Sequence, residues 1–424
     1  MYRVESLANG LTLATAPMPH MASVSVGLWV AVGGRHEPEP LNGVSHFIEH
    51  LLFKGTRRRS AEEISQAVEG MGGYLNAFTA EENTCFYAKA RHDHFAVLLD
   101  VLTDMFLNAT FAPAEIEKER GVIKEEVAMY LDQPAQHVQE LLNATQWPGQ
   151  ALGRPLTGTE ASVDALSRRD LLGYRRAHYH AANAVLAVAG QFDPAAVRAA
   201  VTRAARHFRA GRRSPFAPVA CQQTAPRVCL FTKATEQTQL ALGIRTCSRH
   251  DERRFALRLL NVVLGENMSS RLFQVIREDC GLAYSVYSSL SYFDDVGDLV
   301  ISAGLETANL DKVLRLIVRE LRRLAERPPT AAELRRARDY VIGQIDLRLE
   351  GTENQMMWLG ENLLGYGRVM PPGEVKQRLL AVRAAEVRAA ARDFFRPERL
   401  NLALVSPMKS ARGLEEKLHR VTGR

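Results

Sequence analysis

The sequence predicts an α+β protein of two similar domains, each an antiparallel sheet covered on one face by helices. Three observations lead there. Short β-rich runs are separated by runs of helix with few βαβ alternations, the pattern of segregated sheets and helices. The two halves of the 424-residue chain echo each other in order at an offset of roughly 210 to 218 residues. Between them the stretch 211–226 carries Pro215, Pro218 and Pro226 without apolar periodicity, as a linker does. The expected division is therefore 1–210, a linker at 211–226, and 227–424.

The repeated elements follow one plan. Each half opens on an alternating segment, 24–33 and then 238–245, expected as a half-buried edge strand. A second β-rich run follows at 73–79 and at 282–288. A long helix is predicted to start after Pro113 in the first half and after Thr330 in the second, where Thr330 and Glu333 have capping-box spacing. Each half closes on an apolar strand, 185–190 and 400–405.

Composition narrows the function classes. With 46% hydrophobic and 24% charged residues and no run of about 18 apolar residues, no membrane span is expected. Residues 1–20 lack the apolar run and small-residue cleavage site of a secretory signal, so a cytoplasmic location is expected. The net charge is +6 and the pI about 9.1, but the arginines alternate with glutamates along the helices, which reads as a solvated surface and not as a nucleic-acid partner. Cys85, Cys221, Cys229, Cys247 and Cys280 are odd in number and irregularly spaced, and are expected to be ordinary buried thiols.

One constellation carries chemistry. Residues 43–54 have a helical pattern ended by Gly55 and contain His46-Phe47-Ile48-Glu49-His50. On a helix His46 and His50 stand one turn apart on the same face, where two imidazoles can converge on an ion, and Glu49 stands beside them as a base for the attacking water. In the predicted helix 115–131, Glu119 and Glu126 are seven residues apart and share a face that is expected to carry Val122 and Ile123 as well. Spacing alone fits two ordinary surface glutamates as well as it fits a third ligand at Glu126 with Glu119 accepting a supporting hydrogen bond.

These residues resemble the pitrilysin-like zinc metallopeptidases, the inverzincin (M16-type) family that includes insulin-degrading enzyme, mitochondrial processing peptidase and single-chain bacterial relatives of this length. The match consists of the inverted HxxEH motif and, with 75 residues intervening after His50, the glutamate Glu126 that closes the context Glu119-Arg120-Gly121-Val122-Ile123-Lys124-Glu125-Glu126. The resemblance implies His46, His50 and Glu126 as ligands of one zinc ion per chain, Glu49 as the catalytic base and Glu119 in support. It further implies substrate binding at Asn76 and Ala77, on a strand edge that accepts peptide as an added strand, and at Arg277 and Tyr284 in the second half.

That second half is expected to bind no metal, since no histidine lies between His250 and His419, and the offset sets Gln344 opposite Glu126 and Ala337 opposite Glu119. The function implied is a zinc-dependent endopeptidase acting on peptides or unfolded segments inside a dimer chamber. The partner would be a second copy of the chain or a related subunit. The competing reading is a catalytically silent assembly subunit, for which a broken motif would be expected.

Overall fold

Residues 2–420 are described by the computed structural model. The chain forms two compact units, the first comprising Met1–Ala128, Arg154–Ala217 and Leu347–Pro371, the second Met129–Gly153, Pro218–Asp346 and Pro372–Arg424.

The strands of the first unit are β1 (Arg3–Ser6), β2 (Thr12–Pro17), β3 (Ser23–Val30), β4 (Tyr74–Thr79), β5 (Thr84–Arg91) and β6 (Ala184–Gly190). They form one sheet in the order β1-β2-β6-β3-β5-β4, antiparallel except for the β2–β6 pair. The second unit has β7 (Arg227–Thr232), β8 (Thr238–Thr246), β9 (Ala283–Tyr292), β10 (Gly297–Leu305) and β11 (Leu400–Ser406), in the order β7-β11-β8-β10-β9, with β7–β11 the parallel pair. Five strands of one sheet thus match five of the other in order and direction, which is the repeat sensed in the sequence. The long helices Pro113–Asp132 and Ala331–Arg348 also correspond, and the second begins at the expected capping box, with the Thr330 amide donating to Glu333 and the Glu333 amide to the Thr330 hydroxyl.

Two expectations need correction. The opening strands β3 and β8 are central, not edge, and nearly every residue of each is buried. A strand apolar on both faces needs cover on both, and the second cover comes from the other half of the sequence. In the first unit the helix Thr352–Tyr366 lays Met356, Leu359 and Leu363 against Trp29, Val185 and Ala187. In the second unit the helix Pro134–Gln146 lays Val138 and Leu142 against Ala241, Val300 and Ala403. Each such apolar side chain contributes roughly 1.5–3 kcal/mol when fully buried. The contiguous division expected from the sequence therefore differs from the compact units by one exchanged segment in each direction.

Glycines permit both approaches. A Cβ at Gly27 would come within 2.2 Å of the Met356 sulfur, and one at Gly243 within 2.1 Å of Gln146 Oε1. The opposite face of the first sheet holds the larger core, where Phe47, Ile48, Leu51 and Leu52 meet Leu98, Leu102 and Met105 from the helix Phe95–Asn108.

Segment 211–226 forms no helix or strand. Cys85 and Cys247 are buried as expected, whereas Cys229 is only half-buried on the outermost strand β7, and Cys221, in the segment without helix or strand, and Cys280, in a turn, are exposed. No helix among the described residues is long and apolar enough to cross a membrane.

Candidate metal centre

The helix Val44–Leu52 carries the motif. It is entered through Gly43 at φ 91°, a left-handed conformation that disfavours any side chain. Its first amides are met by a carboxylate from outside the helix: Glu37 accepts from the Gly43 amide at 2.8 Å, the Ser45 amide at 2.9 Å and the Asn42 side chain at 3.2 Å. Burial raises the Glu37 carboxyl above its ordinary value, and those bonds oppose the rise. The apolar stripe Phe47, Ile48, Leu51 and Leu52 sinks into the core, so His46, Glu49 and His50 occupy the half-buried remainder.

Two imidazoles and one carboxylate converge. His46 Nε2 and His50 Nε2 each lie 3.6 Å from Glu126 Oε2, and the three ligand atoms fall within 4.8 Å of one another. A tetrahedral ion with bonds of about 2.0–2.1 Å separates its ligand atoms by about 3.4 Å, so the donor set and its spacing fit zinc with three protein ligands and one open position. Burial, with His50 adjacent, lowers the His46 pKa to about 3, which keeps the imidazole neutral as a ligand must be. Among the described residues no other group of three His, Cys, Asp or Glu side chains gathers in this way.

The supporting residues fall into a line. His50 Nδ1 lies 3.1 Å from Glu119 Oε2, and Glu119 Oε1 lies 2.8 Å from Lys54 Nζ. Glu119 is 1% exposed, and that lysine supplies the opposite charge which makes a buried carboxylate tolerable. Glu49 accepts a hydrogen bond of 2.5 Å from the Thr79 hydroxyl on β4. Burial raises the Glu49 carboxyl above its ordinary value, while the Thr79 bond works the other way.

The structure thus brings together His46, Glu49, His50, Glu119 and Glu126, and of the adjacent pair it turns Glu126 inward and leaves Glu125 exposed. The face expected to carry Val122 does not: Val122 and Ile123 flank the Glu119–Glu126 line on opposite sides, and only the Ile123 side packs into the core, so Ile123 is fully buried and Val122 is 46% exposed. Asn76 and Ala77 lie on β4, the edge strand of the sheet, with exposed Asn76 accepting from the Ala77 amide at 2.8 Å. Arg277 and Tyr284 meet in the second unit, the guanidinium 5.0 Å from the phenol ring centroid and 4.7 Å from that of Phe273. Tyr284 is 80% exposed. Ala337 is buried and Gln344 exposed.

Sequence reasoning missed Lys54, Thr79 and Glu37. Lys54 stands four residues after His50, a spacing that could have flagged it. Thr79 and Glu37 meet the motif helix only through tertiary contacts and leave no local signal.

The chain as a whole has relatives among known proteins. Residues 12–160 match the family described as insulinase (peptidase family M16), and residues 165–341 match the peptidase M16 inactive domain. An uncharacterized zinc protease of Streptomyces coelicolor is 39% identical over 96% of this chain and 90% of its own length. One from Bacillus subtilis is 37% identical over 94% and 97%. Among solved structures, a protease from Helicobacter pylori superposes with a TM-score of 0.88 at 21% identity, covering 96% of this chain and 99% of its own. A peptidase M16 inactive domain from Pseudomonas fluorescens gives 0.89 at 17% identity, with the same coverage. At those identities the likeness speaks for the fold.

Proposed function

Since the chain belongs to the M16 peptidase family, we propose that it is a zinc-dependent endopeptidase using the inverted HxxEH motif, with one zinc ion per chain. The observation that carries this reading is the convergence of His46, His50 and Glu126 beside Glu49. Zinc held there supplies a Lewis acid that polarises the scissile carbonyl and acidifies water. Glu49 takes the proton from the attacking water and returns it to the leaving amine. Thr79 holds one Glu49 oxygen, which leaves the other for the water proton. Glu119 fixes the His50 ring through Nδ1 and leaves Nε2 for the metal.

Substrate is proposed to add as a strand at the β4 edge near Asn76 and Ala77, where main-chain pairing gives affinity with little sequence selectivity. Arg277 and Tyr284 are proposed as donors to substrate from a second copy of the chain, in a homodimer that encloses peptides or unfolded segments. In support, a single chain carries both residue sets.

The deciding experiment measures zinc content and cleavage of a quenched-fluorescent peptide library by wild type and Glu49→Gln. One zinc per chain, with cleavage that Glu49→Gln abolishes while the metal stays bound, is expected. Bound zinc without cleavage favours an assembly subunit, and no zinc overturns the site.

A further inference from the structure

The first unit contains a broad depression of about 1490 Å³ away from the motif residues. The turn after the motif helix contributes Arg57 and Arg58, and the helix Arg168–His178 contributes Arg168, Arg169, Arg175 and Arg176. Arg203, on the helix Pro194–Ala205, and Arg209 beyond it complete the set. No lysine lines it, and its only acids are Asp100 and Asp104. Eight arginines against two aspartates leave a formal excess of six positive charges in the lining.

That surplus has little internal compensation. Arg58 pairs with Asp100 at 2.9 Å, and Arg59 beside it occupies Asp104 at 2.8 Å. Arg168 and Arg175 donate to the backbone carbonyls of Phe111 and Phe106, and Arg209 to that of Arg176, all neutral acceptors. Arg57, Arg176 and Arg203 are exposed and form no ion pair among the described residues, while Arg169, also exposed, acts only on the neighbouring Asp170, whose carboxyl it helps to lower. Burial and the nearby Arg57 charge lower the Arg175 pKa. Like charges focused in a concavity attract an anionic ligand and raise its rate of encounter.

The lining also chooses among anions. Leu107 and Leu172 are half-buried in the wall, with Ala204 near them, so apolar surface alternates with guanidinium. The aromatic residues there, Phe106 and Tyr179, are buried in the core and offer no face for base stacking. The volume exceeds the roughly 300–1,000 Å³ of small-molecule pockets. We propose that this basin is a docking site for an acidic polypeptide segment with apolar residues between its carboxylates. Arginine forks would receive the carboxylates bidentately, and the leucines would receive the apolar side chains.

The test uses the full chain and three fluorescent probes: a peptide alternating glutamate with leucine, inorganic polyphosphate, and a single-stranded oligonucleotide of equal charge. The peptide is expected to bind tightest and to weaken with salt. Arg176→Glu and Arg203→Glu are expected each to weaken it about five- to tenfold. Arg198→Glu, on the same helix as Arg203 but outside the basin and paired with Glu5, is expected to weaken it less than about twofold. Tighter binding of polyphosphate or oligonucleotide, equal losses in all three variants, or no peptide binding would each overturn the proposal.

Discussion

The Thr79 hydroxyl donates to the Glu49 carboxylate across 2.5 Å, tying the edge strand β4 to the side chain proposed as catalytic base. The bond makes Thr79 a positioning residue: it restricts the rotation of Glu49 without touching the ligands. Thr79→Val is expected to lower kcat about tenfold with zinc content and KM nearly unchanged, and Thr79→Ser to restore most of it. Steady-state kinetics on one peptide decide the matter, since a loss confined to KM would assign Thr79 to the strand and not to the base.

Lys54 holds Glu119, and Glu119 holds His50. Removing the lysine leaves a buried carboxylate without its cation and loosens the imidazole it orients. Lys54→Met is expected to weaken zinc binding about tenfold, read by competition with a chelator. Unaltered zinc affinity would reduce Lys54 to a surface charge.

Two helix glycines are expected to respond with opposite sign to the same change. A Cβ at Gly360 would lie 2.1 Å from the Trp29 ring, whereas one at Gly343 meets nothing within 4 Å. Gly360→Ala is expected to cost about 2–3 kcal/mol by overpacking, and Gly343→Ala to add about 0.5–1 kcal/mol through helix propensity. Urea unfolding of the two variants measures both, and equal shifts would refute the packing argument.

Glu333 has its carboxyl lowered to about 2, with hydrogen bonds from Arg271 and from the Thr330 amide outweighing burial, the largest single influence, which raises it. A depressed carboxyl stabilises the fold above its unfolded value near 4.5, and that contribution fades as pH falls toward 2. With solvent screening, Glu333→Gln is expected to cost about 1 kcal/mol at neutral pH. The gap to wild type should close between pH 4.5 and 2, and a gap that persists at the acid end would mean the ion pair is not its source.

What the sequence by itself determined was the content of each local period. A helix repeats near 3.6 residues, so His46 with His50 and Glu119 with Glu126 had to share faces wherever their helices went, and the two-half plan showed in the order of its strands. Short range also limited it. Whether Glu126 would meet the histidines at all, which strand would hold Glu49, and which helix would cover the far face of each sheet depend on contacts between segments tens to hundreds of residues apart. Local propensity does not encode those contacts; burial of two-faced central strands and the absence of a Cβ at Gly27 and Gly243 do. The arginines make the same point. Along the chain they read as dispersed and solvated, and only the packing of the helices Arg168–His178 and Pro194–Ala205 beside the turn at Arg57 gathers their charge into one basin.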